Sequence, residues 1–134
     1  MNRKDIEIMA PAGSYESLMA AIQGGADSVY FGAEDLNMRA ASSINFTLDD
    51  LRNIANICNK NNIKSYLTVN VVVFDHEIEQ MHRIIDSAVE SEISAIIASD
   101  LSVINYAFRS GIEVHLSTQL NITNIEALKF NSQM

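Results

Sequence analysis

The stretch that decides the fold is residues 6–32, I-E-I-M-A-P-A-G-S-Y-E-S-L-M-A-A-I-Q-G-G-A-D-S-V-Y-F-G. It opens on the apolar run Ile6–Met9 and passes through Ala10-Pro11-Ala12-Gly13. There follows a segment whose apolar residues Tyr15, Leu18, Met19 and Ile22 lie three or four apart, and the stretch closes on Ser28–Phe31. Spacing of that kind puts one stripe on a helix, whereas short runs with β-branched and aromatic residues suit a pleated sheet. Gly24 and Gly25 sit where the helix should end, because glycine enters the left-handed conformation at little cost. A strand, a helix and a second strand in succession imply parallel pairing, since parallel neighbours need a crossover and not a hairpin.

The same pattern continues outward. Strand-like runs recur at Lys64–Val69, Ser94–Ala98 and Glu113–Leu116. Between them lie the helical stripes Leu51, Ile54, Ala55, Cys58 and Ile78, Met81, Ile85, Val89, then the apolar segment Leu101–Phe108. Asn61, Asn62 and Gly111 supply stop signals, while Thr47 with Asp50 and Thr123 with Glu126 have the spacing of capping boxes, the second beginning a final helix. The expected class is α/β with a parallel sheet, either open and doubly wound or a barrel. The first turn lacks the G-x-G-x-x-G spacing of a dinucleotide fold, which favours the barrel. A closed (β/α) TIM-type barrel takes ~250 residues, so the 134 residues are read as its first five β/α units. One domain is expected over residues 1–134, the amino-terminal portion of a barrel truncated before closure, with Asn131-Ser132-Gln133-Met134 as an interruption.

Composition narrows the function classes. The chain is 48% hydrophobic and 19% charged, ordinary for a globular core. Seventeen acidic against nine basic residues give a net charge of −8, which opposes wrapping on nucleic-acid phosphates without basic surface from elsewhere. Cys58 is the lone cysteine and cannot form an internal disulfide. The start M-N-R-K-D-I-E-I-M-A lacks the apolar core of a signal peptide, and no apolar run approaches the ~18 residues of a membrane span. A cytoplasmic protein with no membrane span is expected.

In parallel α/β sheets ligands bind beyond the carboxyl ends of the strands. The residues at those ends are Gly13 after the first strand, Arg39 and Asn45 in the long segment after the second, and Asn70 after the third. Ser99 and Asp100 follow the fourth, with His115, Ser117, Thr118 and Gln119 across the end of the fifth. His115 and Asp100 are the acid–base candidates; Arg39, Asn45, Asn70, Ser117, Gln119 and Gly13 are candidates for holding substrate. Each has a structural alternative. Asp100 could be an N-cap for the helix that follows, Asn70 could satisfy loop backbone, Arg39 could tie the long loop to Glu34 or Asp35, and His115 could be a strand histidine with its bonds satisfied. His76 and His82 read as surface residues, Cys58 as core, and no Cys/His spacing suggests a metal site.

Ile8-Met9-Ala10-Pro11-Ala12-Gly13, Gly25-Ala26-Asp27-Ser28-Val29-Tyr30-Phe31-Gly32, Arg39-Ala40, Asn45-Phe46, Thr68-Val69-Asn70 and His115-Leu116-Ser117-Thr118-Gln119 occur in one order. Together they resemble the opening half of peptidase family U32, the collagenase-like peptidases, over essentially the whole chain. The resemblance implies an amino-terminal (β/α) barrel. It implies a parent that acts either as a peptidase or in oxygen-independent hydroxylation of RNA bases or a quinone precursor. The latter would use an iron–sulfur cluster held by cysteines further along a full-length parent. Ser99 departs from the glutamine expected before the aspartate. No cluster is expected on these 134 residues, and the fragment alone is expected to be inactive. Three readings stay open: an enzyme whose substrate is a peptide, RNA or quinone precursor; a binding or chaperoning barrel module; and an inert piece that self-associates through open sheet edges.

Overall fold

The computed structural model describes residues 6–38 and 46–133. Arg39 and Asn45, both expected to hold substrate, lie outside the described residues. Among the described residues five strands and five α-helices alternate: β1 (Met9–Pro11), α1 (Tyr15–Gln23), β2 (Ser28–Gly32), α2 (Leu51–Lys60), β3 (Lys64–Val69), α3 (Ile78–Glu90), β4 (Ala95–Ala98), α4 (Leu101–Arg109), β5 (Glu113–Leu116) and α5 (Ile125–Asn131). The strands form one open sheet in the order β1-β2-β3-β4-β5, and every pair is parallel. This sequential order lacks the reversal that defines a doubly wound sheet.

Register assigns each strand residue to a face, because side chains alternate along a strand. Val29 and Phe31, Leu67 and Val69, and Ile96 and Ala98 form one core with Leu18, Leu51, Ile54, Met81, Ile84, Ile85, Val103 and Ala107 of the helices. The intervening residues face the opposite way: Ser28 beside Lys64, Tyr30 beside Tyr66 and Ala95, Thr68 beside Ile97 and His115. The helix layer thus takes half of each strand and leaves the other half as a second, more polar face.

Local signals account for most element ends. Ser14 starts α1 with a reciprocal cap: its Oγ accepts from the Ser17 N–H at 3.2 Å while Ser17 Oγ accepts from the Ser14 N–H at 2.9 Å. The Thr47/Asp50 capping box forms, on a short 3₁₀ turn leading into α2. Gly25 and Gly111, with φ of 80° and 79°, end α1 and α4 in the left-handed region. Three expectations need correction. The first strand is Met9–Pro11 and not Ile6–Met9: the Ile8 N–H is taken by the Asp27 carboxylate at 2.8 Å, its carbonyl is shared between the Asp27 and Ser28 N–H groups, and the residue-to-residue pairing with β2 begins at Met9 opposite Ser28. The last helix is capped by Asn124, whose Oδ1 accepts from the Ala127 N–H at 2.9 Å, and not by Thr123. Met19 and Val89, read as buried stripe residues, are exposed.

Candidate functional site

The carboxyl ends of β3, β4 and β5 bring most of the sequence-selected polar residues into two neighbouring cavities. One, of about 420 Å³, is lined by Met38, Asn70, Ser99, Asp100 and Gln119 among others. The second, about 360 Å³, lies on the helix-free face and is lined by Tyr30, Thr68, Asn70, His115, Ser117 and Thr118, over an apolar floor that includes Met9 and Ile97. Asn70 lines both. Its Oδ1 accepts from the Met38 N–H at 3.2 Å, which fixes the start of the long loop after β2 against the end of β3. The structural alternative for Asn70 and its place at the site therefore coexist.

Asp100 serves as the N-cap of α4 and holds a second loop as well. Its Oδ1 accepts from the Ser102 N–H at 2.8 Å and the Ser102 hydroxyl at 2.6 Å, and its Oδ2 accepts from the Val73 N–H at 3.1 Å. Burial pushes its pKa up, but the Ser102 hydroxyl and the two N–H groups outweigh this and hold the carboxyl below its ordinary range. It is thus an ionised anchor whose oxygens are engaged with backbone at the cavity wall.

His115 is half-buried on the helix-free face, and its Nε2 lies 2.8 Å from Glu113 Oε1, two residues earlier on the same strand face. Ser117 is buried; its N–H donates to the Ala98 carbonyl at 2.7 Å and its Oγ accepts from the Gln119 N–H at 3.3 Å, so it shapes the turn that carries Gln119. Gly13 lies outside both cavities, and its N–H is taken by Ser17 Oγ at 2.9 Å. Tyr30 and Thr68 were missed by sequence reasoning. The parity of positions 30, 66, 68, 97 and 115 carries the signal, but it becomes readable only once the parallel register is fixed.

Nucleophile chemistry has little local support. Among the described residues no serine, threonine or cysteine side chain is hydrogen-bonded to a histidine. His76 and His82 stack instead on Phe74 and Tyr106. Cys58 is fully buried on α2, and burial pushes its thiol up to about 11. Among the described residues no group of three or more His, Cys, Asp or Glu is placed to hold a metal ion. An iron–sulfur cluster of the usual kind takes about four cysteine thiolates. A single buried, protonated thiol does not fit that role.

The fold and these cavities define an α/β protein of the parallel-sheet class with polar residues gathered at its strand carboxyl ends. The model of Peptidase family U32 matches residues 13–134, and the chain belongs to that family. It is 62% identical over 133 residues to a "Collagenase" of Porphyromonas gingivalis, covering 99% of this chain and 32% of that protein. An "Uncharacterized protease" of Methanocaldococcus jannaschii is 39% identical over 128 residues, with 96% of this chain and 31% of that protein covered. A "tRNA hydroxylation protein P" of Helicobacter pylori is 31% identical over 122 residues, with 90% and 29% covered. The chain spans about a third of the length of these relatives. Among the described residues no helix is long and apolar enough to cross a membrane.

Proposed function

We propose that the chain supplies the first five units of a (β/α) barrel and about half of the substrate site of a family U32 enzyme. The observation that carries this reading is Asn70, which joins the cavity walled by Asp100 and Gln119 to the cavity lined by His115, Ser117 and Thr118. In this role Asn70 and Gln119 offer amide donors and acceptors to a substrate, His115 is the acid–base or hydrogen-bonding group, and Asp100 fixes the wall. Substrate-binding roles for Arg39, Asn45 and Gly13 remain part of the proposal.

The names of the most similar relatives support a peptide substrate. Hydrolysis, however, needs an activated nucleophile or water, and neither can be assembled from the residues described. In the proposed enzyme that group comes from the rest of the longer parent. The tRNA hydroxylation relative supports a second reading, oxygen-independent hydroxylation of an RNA base or quinone precursor. There these residues bind and orient, and a redox cluster held by cysteines outside this chain would supply the oxidation chemistry. A binding or chaperoning module is the non-catalytic alternative.

The test uses the longer parent carrying this segment. Wild type and His115→Ala are compared on collagen and gelatin peptides, and RNA from cells with and without the gene is searched for hydroxylated nucleosides by mass spectrometry. Peptide cleavage that loses turnover in His115→Ala supports the peptidase reading. Hydroxylated nucleosides that vanish with the gene select the second. Substrate affinity without turnover in either assay overturns both catalytic readings in favour of the binding module.

A further inference from the structure

The helix-free face carries a line of contacts running from its amino-terminal end to the candidate site. Lys64 Nζ lies 3.2 Å from Glu7 Oε2, and the Tyr66 hydroxyl donates to Glu7 Oε1 at 2.6 Å. The ring of Tyr66 meets the imidazole of His115 edge-on, with centroids 4.7 Å apart and planes at 65°. His115 Nε2 in turn meets Glu113 Oε1 at 2.8 Å. Tyr66 is on β3 and His115 on β5, two strands away at about 4.8 Å per strand. The residue between them at the level of Tyr66 is Ala95 of β4, fully buried although it lies outside the helix-packed core. A methyl group there leaves room for the two rings to meet across β4.

We propose that Tyr66 is a positioning residue for His115, tethered by Glu7, and that the assembly turns Nδ1 of His115 toward a polar group of the ligand, as a hydrogen-bond acceptor when the ring is neutral. The proposal rests on the reading of the His115 cavity as a substrate site. A carboxylate oxygen accepts, so Glu113 accepts a hydrogen bond from Nε2 at 2.8 Å, and in the neutral form of the ring the lone pair then falls on Nδ1. Among the described residues Nδ1 has no protein partner. The edge contact with Tyr66 restrains the ring plane, an arrangement favoured by the aromatic quadrupole. The tether is robust at neutral pH: burial, and then the bond to Glu7, raise the Tyr66 pKa, while the Tyr66 hydroxyl chiefly lowers that of Glu7. The phenol stays protonated and the carboxylate ionised. Neither Tyr66, Glu7 nor Lys64 needs to touch substrate in this scheme.

The experiment is nitrogen-15 NMR of the histidine side chains in the chain, which reports tautomer without any ligand. Recorded at a pH high enough to keep the imidazoles neutral, wild type should show His115 with one dominant tautomer, protonated at Nε2. In Tyr66→Leu the tautomer ratio should fall several-fold and the ring protons should lose the shift imposed by the tyrosine. Tyr66→Phe and Glu7→Leu, each of which removes the hydrogen bond of the tether, should fall between the two. An unchanged tautomer and unchanged ring shifts in Glu7→Leu and Tyr66→Leu would overturn the proposal, as would an Nδ1-protonated wild type. Should Tyr66→Leu fail to fold, the Glu7→Leu and Tyr66→Phe spectra decide. Because no ligand enters, a negative result here is separable from a failure of His115→Ala to affect substrate.

Discussion

At the scale of single residues, Asp100 shows how one carboxylate serves both architecture and site. Its lowered folded-state pKa means that its contribution to stability is complete above the ordinary carboxylate pKa and is lost as pH falls through the lower folded-state value. Asp100→Ala should cost about 1–2 kcal/mol near neutral pH, the size of a lost N-cap. Asp100→Asn should lose less there, and its stability should fall less than that of wild type on acidification; urea melts across the acid range measure both. Cys58 gives a second check. With its thiol pushed up to about 11 by burial, it should react with a disulfide reagent far more slowly in the native chain than in denaturant. Fast native labelling would show that α2 does not seal it.

At the scale of elements, the turn after β2 is built around a close approach. Gly32 is buried, and a Cβ placed there would meet Asn37 Oδ1 at 2.3 Å. Asn37 is itself buried and donates to the Glu34 carbonyl at 3.0 Å, so it has little freedom to retreat. Gly32→Ala is expected to destabilise the fold by about 1–3 kcal/mol, as overpacking usually does, measurable by thermal or urea unfolding. The same loop is closed by Phe46, which packs edge-on against Tyr15 and Phe31 with centroids at 5.3 and 5.6 Å. It was legible in the sequence as a long connection. Its aromatic closure was not, because the contact joins residues from three elements.

At the scale of the whole molecule, the open sheet leaves β1 and β5 each with one edge that has no partner among the described residues. Beside β5 lies an apolar groove of about 620 Å³ lined by Ile104, Phe108, Val114 and Leu116, and Phe130 on α5 is 69% exposed. Unpaired backbone next to exposed apolar surface promotes association between chains. The 134-residue chain is therefore expected to associate with rising concentration in sedimentation velocity, and Leu116→Lys on the edge strand should weaken that association. A monomer at all concentrations would contradict this expectation. The sequence by itself determined the alternation of strands and helices, four of the five strand positions to within a residue, and the polar character of the strand carboxyl ends, because these depend on spacing and local propensity. Tertiary structure decided the rest. Which of the end residues share a cavity, that Gly13 lies outside both, that His115 meets Tyr66 across β4, and that Asp100 is held by Val73 depend on how the strands and the loops at their ends are brought together. Register sets which distant side chains lie side by side, and in buried parallel strands both faces read as apolar until the partner strand is known.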